Sequence, residues 1–121
     1  MNKNKNNKSK NEERLVQISA GQTTLEGNLI IPKSSRGIVL FAHGSGSSRR
    51  SPRNKYVAEV LQDAGIATLL IDLLAEEEID LQTRHLQFDI DLLAQRLIEA
   101  TDWLKQDQNI QTKNLSVGKQ F

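Results

Sequence analysis

The spacing of apolar positions changes along the chain, and each change marks a new element. Met1 to Glu13 has no apolar period at all. Leu15-Val16-Gln17-Ile18 is a short strand candidate, and Ala20-Gly21-Gln22 after it is a turn signal. Thr24 to Ile31 reads as a second strand closed by Pro32, with Leu25, Gly27, Leu29 and Ile31 on one parity. So short a turn between two strands predicts an antiparallel hairpin. After the polar Lys33-Ser34-Ser35-Arg36 comes an unbroken apolar run, Gly37 to Ala42. A run without alternation expects burial on both faces, as in the middle of a parallel sheet.

A helix is predicted next. Ser51 suits its N-cap and Pro52 its first turn. Val57, Val60, Leu61 and Ala64 follow the spacing of one buried face, and Gly65 suits the stop. Ile66 to Ile71 is a second unbroken run, ending at Asp72. Strand, loop, helix and strand together make a βαβ unit, right-handed and parallel. Glu76-Glu77-Glu78 reads as a solvated charge run. A long amphipathic helix over Thr83 to Gln106 follows, with Leu86, Ile90, Leu93, Leu97, Ala100 and Leu104 on one face and Trp103 at its edge. Leu115-Ser116-Val117-Gly118 reads as the start of another buried strand. There is no internal repeat. The fold class is therefore α/β: an antiparallel N-terminal hairpin leading into a parallel sheet flanked by helices.

Composition narrows the functional classes. The 121 residues hold 16 Lys plus Arg against 15 Asp plus Glu, a formal charge of +1. That balance speaks against a strongly basic nucleic-acid binder. With no cysteine, disulfides, thiolate metal sites and a cysteine nucleophile are excluded. No apolar run reaches the length of a membrane helix, and the N-terminus lacks the apolar core of a secretory signal. The cytoplasm is the expected compartment, with no membrane or nucleic-acid partner. Residues 1–13, rich in Asn and Lys, are expected to form a disordered polar tail, with the folded part spanning 14–121.

The stretch richest in chemistry is His43-Gly44-Ser45-Gly46-Ser47-Ser48, which leaves a buried strand and enters a helix. In open α/β sheets ligands bind at such strand ends. Free backbone N–H groups at a loop-to-helix junction can face an anion or a developing oxyanion. A phosphate loop needs a G-x-x-x-x-G-K pattern that is absent. A dinucleotide fingerprint is partly present in Gly44-x-Gly46, with Asp72 placed for a ribose. Arg49, however, stands where the third glycine belongs. An oxyanion loop in an H-G motif after the third strand is the third reading, with the dinucleotide fingerprint kept as its runner-up.

The residues that favour it are Leu25-Glu26-Gly27-Asn28-Leu29, Val39 to Ser48, Ser51-Pro52-Arg53-Asn54 and Leu69 to Leu74, joined by Thr83 to Leu86 and Phe88 to Ala94. Over residues 15 to 118 the chain resembles the N-terminal part of an α/β-hydrolase of the dienelactone-hydrolase-like group. The resemblance implies an ester- or lactone-cleaving serine hydrolase as the intact relative, and no cofactor. It assigns the oxyanion hole to Ser45 and Gly44, with His43 orienting the loop. It puts the nucleophile elbow just after the fifth strand, where Lys119-Gln120-Phe121 stands, and the acid and catalytic histidine later still. The expectation is thus an incomplete α/β-hydrolase fold, truncated before the elbow and without a catalytic residue or a metal site. An open sheet edge would also allow self-association, so a non-catalytic binding module is one alternative, and a nucleotide-binding Rossmann-like fragment is the other.

A triad within the chain has little support. Ser45, Asp72 and His85 occur in a suitable order, but Ser45 lacks the flanking glycines of an elbow. His85 reads as a solvent-facing or capping residue, and Asp72 as a cap for the turn after its strand. Two histidines 42 positions apart offer no metal-ligand spacing. Arg49 and Arg50 read as a solvated pair.

Overall fold

The computed structural model describes residues 11–43, 49–75, 78, 89–107 and the strand at 116–120. Chain order gives β1 (Glu12–Ala20), β2 (Thr23–Ile31), β3 (Gly37–His43), α1 (Pro52–Asp63), β4 (Ala67–Asp72), α2 (Ile90–Gln106) and β5 (Ser116–Gln120). The five strands form one sheet in the order β1-β2-β4-β3-β5. β1 pairs antiparallel with β2, and β2 antiparallel with β4. β3 runs parallel to both β4 and β5. This is the expected hairpin feeding a parallel sheet, an open mixed sheet of the α/β-hydrolase kind.

The hairpin closes through Gly21 and Gln22, between the paired residues Ala20 and Thr23. Gly21 takes φ 64° at the first central position, the hallmark of a type II′ turn whose twist matches the strands. β1 begins at Glu12, so the strand starts inside the stretch read from sequence as a tail. Glu12 and Glu13 pair with Ile31 and Ile30, whose backbone groups need partners. Residues 1–10 lie outside the described residues.

The sheet is the middle of three layers. Val16, Ile18 and Ala20, then Leu25, Leu29 and Ile31, join Ile38, Leu40, Ala42, Leu69 and Ile71 on one face. Ala100 and Leu104 of α2 cover that face, with Leu93, Leu97 and Trp103 packed against it. On the other face Phe41 and Leu70 meet Ala58 and Leu61 of α1. Burial of β3 and β4 on both faces is what their unbroken apolar runs require.

Helix ends follow local chemistry. The Ser51 hydroxyl accepts from the Asn54 N–H at 3.5 Å, and Pro52 opens α1. At its other end Ile66 N–H bonds Leu61 O at 2.9 Å and Gly65 N–H bonds Gln62 O at 3.0 Å, with Gly65 at φ 83°. That is a Schellman motif, which only a residue tolerant of positive φ closes without strain. Asp89 caps α2 by accepting from the Leu92 N–H at 3.1 Å.

Two faces differ from the spacing expected. In α1 the buried positions are Ala58 and Gln62, while Val57, Val60 and Ala64 are exposed. The helix is rotated so that a small residue meets the sheet, and Gln62 is admitted because its Nε2 donates to Thr68 Oγ1 at 2.8 Å. A buried amide with a partner carries little penalty, so hydrophobic spacing alone misreads the face. In α2, Leu93, Leu97, Ala100 and Leu104 line the core, but Ile90 in the first turn is 71% exposed. The predicted turns from Thr83 to Leu86 lie outside the described residues. No helix among the described residues is long and apolar enough to cross a membrane.

Candidate active site

The direction of the crossovers reverses at β3. The chain leaves β3 for β4 on one side and later returns past it to β5 on the other. In open α/β sheets the crevice at such a reversal, at the carboxyl ends of the strands, is where ligands bind. His43 is the last residue of β3, and the glycine-serine stretch follows it in sequence. Gly44 and Ser45, the two residues assigned to the oxyanion hole, lie outside the described residues, as do Gly46 to Ser48 and His85. The described structure supplies the two residues that flank this stretch, His43 and Arg49, and their contacts to described residues.

His43 is buried, at 7% exposure. Its Nδ1 lies 3.3 Å from the Ile71 carbonyl oxygen. A carbonyl only accepts, so the bond makes Nδ1 the protonated nitrogen and Nε2 the acceptor. Burial pushes the imidazole below the usual histidine range, partly offset by the Ile71 carbonyl and the nearby Asp72 charge. His43 is therefore neutral at pH 7. Its own carbonyl accepts from the Leu73 N–H at 2.9 Å.

Arg49 corrects the sequence reading of a solvated pair. It is 6% exposed. Its backbone N–H donates to Asp72 Oδ1 at 2.8 Å, Nη1 to Asp72 Oδ2 at 3.1 Å, and Nη2 to Glu26 Oε1 at 3.1 Å. The guanidinium fork explains why a cation stays inside: it spans two carboxylates on neighbouring strands. Asp72, read as a turn cap, instead grips the far stem of the loop, so both its oxygens are engaged by Arg49. Arg50 is exposed.

The charge run at 76–78 needs a similar correction at its described member. Glu78 meets Arg96 of α2 through two bonds, Nη1 to Oε1 at 2.6 Å and Nη2 to Oε2 at 2.8 Å. The Ala75 N–H also donates to Oε1 at 2.8 Å. The Arg96 bond is the main reason the Glu78 carboxyl sits below the usual carboxylate range, against a smaller opposing effect of burial. Arg96 Nη1 donates in addition to Leu73 O at 2.9 Å. Arg96 was not singled out from the sequence, and Glu26 entered only within the segment Leu25 to Leu29, with no role of its own. Arg96 did leave a signal: it lies three residues after Leu93 and four before Ala100, within the apolar face of α2.

Between the hairpin and the end of β4 lies a concavity of about 290 Å³, lined by Gln17, Thr24, Glu26, Arg49, Asp72, Leu74 and Ala75. Its wall is polar, and its charges are already paired with one another. No group of three or more potential metal ligands gathers among the described residues.

No protein-family profile matches the chain. Among solved structures it is similar to a dienelactone hydrolase from Anabaena variabilis ATCC 29413, with 62% sequence identity and a TM-score of 0.81. The match covers 91% of this chain and 51% of that one. A cold-adapted esterase from an Arctic intertidal metagenomic library matches with a TM-score of 0.69 over 91% of this chain and 50% of its own. At 21% identity that likeness is one of fold. Two Mycobacterium tuberculosis proteins, from strains CDC 1551 / Oshkosh and H37Rv, are 55% identical over 103 residues and carry the name of a phosphoribosyl transferase. The chain spans about half the length of the dienelactone hydrolase and 22% of each mycobacterial protein.

Proposed function

The chain belongs to the dienelactone-hydrolase-like group of the α/β-hydrolase superfamily, and on that premise we propose that it carries the oxyanion side of a site that cleaves ester or lactone bonds. The observation that carries this reading is the exit of β3 at His43, between two parallel neighbours, in a chain 62% identical to a dienelactone hydrolase. The Ser45 N–H donates to the oxyanion of the tetrahedral intermediate, Gly44 permits the close approach, and His43 orients the loop. Removing one such donor typically costs about 10²–10³ in rate.

A polypeptide of these 121 residues is inactive by itself. Asp72 is the acid a triad with Ser45 and His85 would need. Both its oxygens are taken by Arg49, which supports the view that it does not orient a histidine. On this reading nucleophile, acid and base come from elsewhere in the enzyme. The name of the mycobacterial relatives lends no activity to these residues, because 78% of those proteins lies outside the match.

The test is a chimera. These residues replace their matching part of the Anabaena dienelactone hydrolase, and the chimera and the 121-residue chain are assayed on a p-nitrophenyl ester and a lactone. The chimera is expected to turn over and the chain to match the buffer rate. Ser45→Pro in the chimera, which deletes the N–H, is expected to lower kcat by about 10²-fold or more. A folded but inactive chimera, or turnover by the chain alone that Ser45→Ala abolishes, would overturn the reading.

A further inference from the structure

The apolar spacing of α1 and its burial disagree, and the disagreement has a direction. Lys55, Glu59 and Gln62 line a concavity of about 280 Å³ together with Glu13, Asn28 and Ile30 of the hairpin, so that flank of α1 faces β1 and β2. At 3.6 residues per turn, Val57, Val60 and Ala64 lie on the opposite flank. The strand order β1-β2-β4-β3-β5 puts β5 on that side. Val57 is 43% and Val60 50% exposed, and Ala64 is exposed as well. Tyr56, one turn before Val60, is exposed and extends the patch. Leu61 joins it to the sheet, packed against the cluster of Phe41, Ala58 and Leu70. Val57, Val60, Leu61 and Ala64 are thus one apolar face, turned along the sheet rather than down onto it. Single exposed apolar side chains are ordinary on a surface, whereas a continuous stripe marks a contact.

What covers the stripe follows from the sheet beneath it. Parallel strands are covered by helices on both faces. On this face α1 packs on β3 and β4, through Phe41 and Leu70. β5, parallel to β3, stands one strand further out and is the last strand among the described residues. A helix laid over β5 would run beside α1 at the usual spacing of about 8–10 Å and meet the Val57 flank. The chain spans 51% of the Anabaena dienelactone hydrolase, so a further half of such a domain is there to supply that helix. We propose that the flank of α1 carrying Val57 and Val60 is an interface for an apolar-faced helix from the other half of the hydrolase domain, packed beside α1 over β5. Family membership and sheet geometry carry this interface, and the chemistry at the end of β3 plays no part in it.

The test uses the full chain and the chimera. The chain has no cysteine, so Val57→Cys, Val60→Cys and Asp63→Cys each add one thiol to this half. Asp63 is exposed and serves as the solvent reference. Labelling by N-ethylmaleimide is followed by mass spectrometry of the α1 peptide. In the chain alone the three thiols are expected to react at comparable rates. In the chimera those at 57 and 60 are expected to react at least about tenfold more slowly than the one at 63, because only they are covered. Val60→Lys is the second reading. It should leave the melting temperature of the chain unchanged and lower that of the chimera by about 5 °C or more, since there the ammonium is buried without a partner. Equal labelling at the three positions of a folded chimera, or a neutral Val60→Lys in it, would overturn the interface. So would a chimera that does not fold although the chain does. Slow labelling of the chain alone, with a dimer in sedimentation, would assign the flank to a second copy and overturn the proposed occupant. No turnover is read, so a folded chimera that is inactive but protected at 57 and 60 overturns the hydrolase reading and upholds the interface.

Discussion

Gly27 sits on β2 inside the sheet, paired with Val16 on β1 and Ile71 on β4. By composition it is a poor strand residue. Replacing it with valine exchanges a weak β-former for a strong one, a gain of up to about 1 kcal/mol. Burying the added side chain would contribute about 1.5–3 kcal/mol more if there were space. The structure reverses that expectation. A Cβ on Gly27 would stand 3.0 Å from Leu69 Cδ1, 3.0 Å from the Leu70 carbonyl oxygen and 3.4 Å from Ile71 Cβ. Carbon atoms are content at about 3.5–4.0 Å. Leu69 and Ile71 are fully buried and have nowhere to swing, and Leu70 O is backbone. Relief requires β2 to move against β4, and overpacking of this kind costs about 1–3 kcal/mol. We expect Gly27→Ala near the lower end and Gly27→Val near the upper end. For a domain of this size the melting temperature falls about 4 °C per kcal/mol, so the valine variant should melt about 12 °C lower. Thermal melting followed by circular dichroism, with urea titration to verify an unchanged slope, measures both. Gly21→Ala is the control: nothing lies within 4 Å of its Cβ, and its cost of about 1 kcal/mol comes from φ 64° alone. A Gly27→Val protein as stable as the parent would refute the packing argument.

Gln62→Leu should destabilise by about 1–3 kcal/mol, because it leaves the Thr68 hydroxyl buried without its partner. Adding Thr68→Val should recover most of that loss, and a urea-denaturation cycle over the four proteins reads the coupling. The His43 ring should titrate below 6.5 in an NMR pH series. Since its folded value is depressed, its contribution is complete above the unfolded value and is lost as pH falls from there through the folded one. Glu78 obeys the same sign one carboxylate range lower: its contribution is complete above 4.5 and lost on acidification through its depressed value. Arg96→Met should remove that acid-sensitive part, visible as a flatter urea midpoint between neutral pH and about pH 3. At neutral pH it should cost about 3 kcal/mol, from a broken, mostly buried pair and an orphaned Leu73 carbonyl.

Much of the fold could be read from neighbours in the chain. The unbroken runs in β3 and β4, the glycine turn between β1 and β2, the Ser51-Pro52 start and the Gly65 stop of α1 are all local statements. Each rests on a backbone preference that a few adjacent residues express whatever surrounds them. The end of β3 at His43 was legible for the same reason. Tertiary packing decided the rest. It chose the face of α1, since Gln62 is tolerable inside only because Thr68 on β4 meets it. It inserted β4 between β2 and β3, which brings Glu26 beside Asp72. Arg49 looked like a surface charge and Arg96 drew no reading because their partners, Asp72 and Leu73, each lie 23 residues away. Charge is buried only where an opposite charge or a carbonyl waits, and at that separation in sequence only the folded sheet brings the two together.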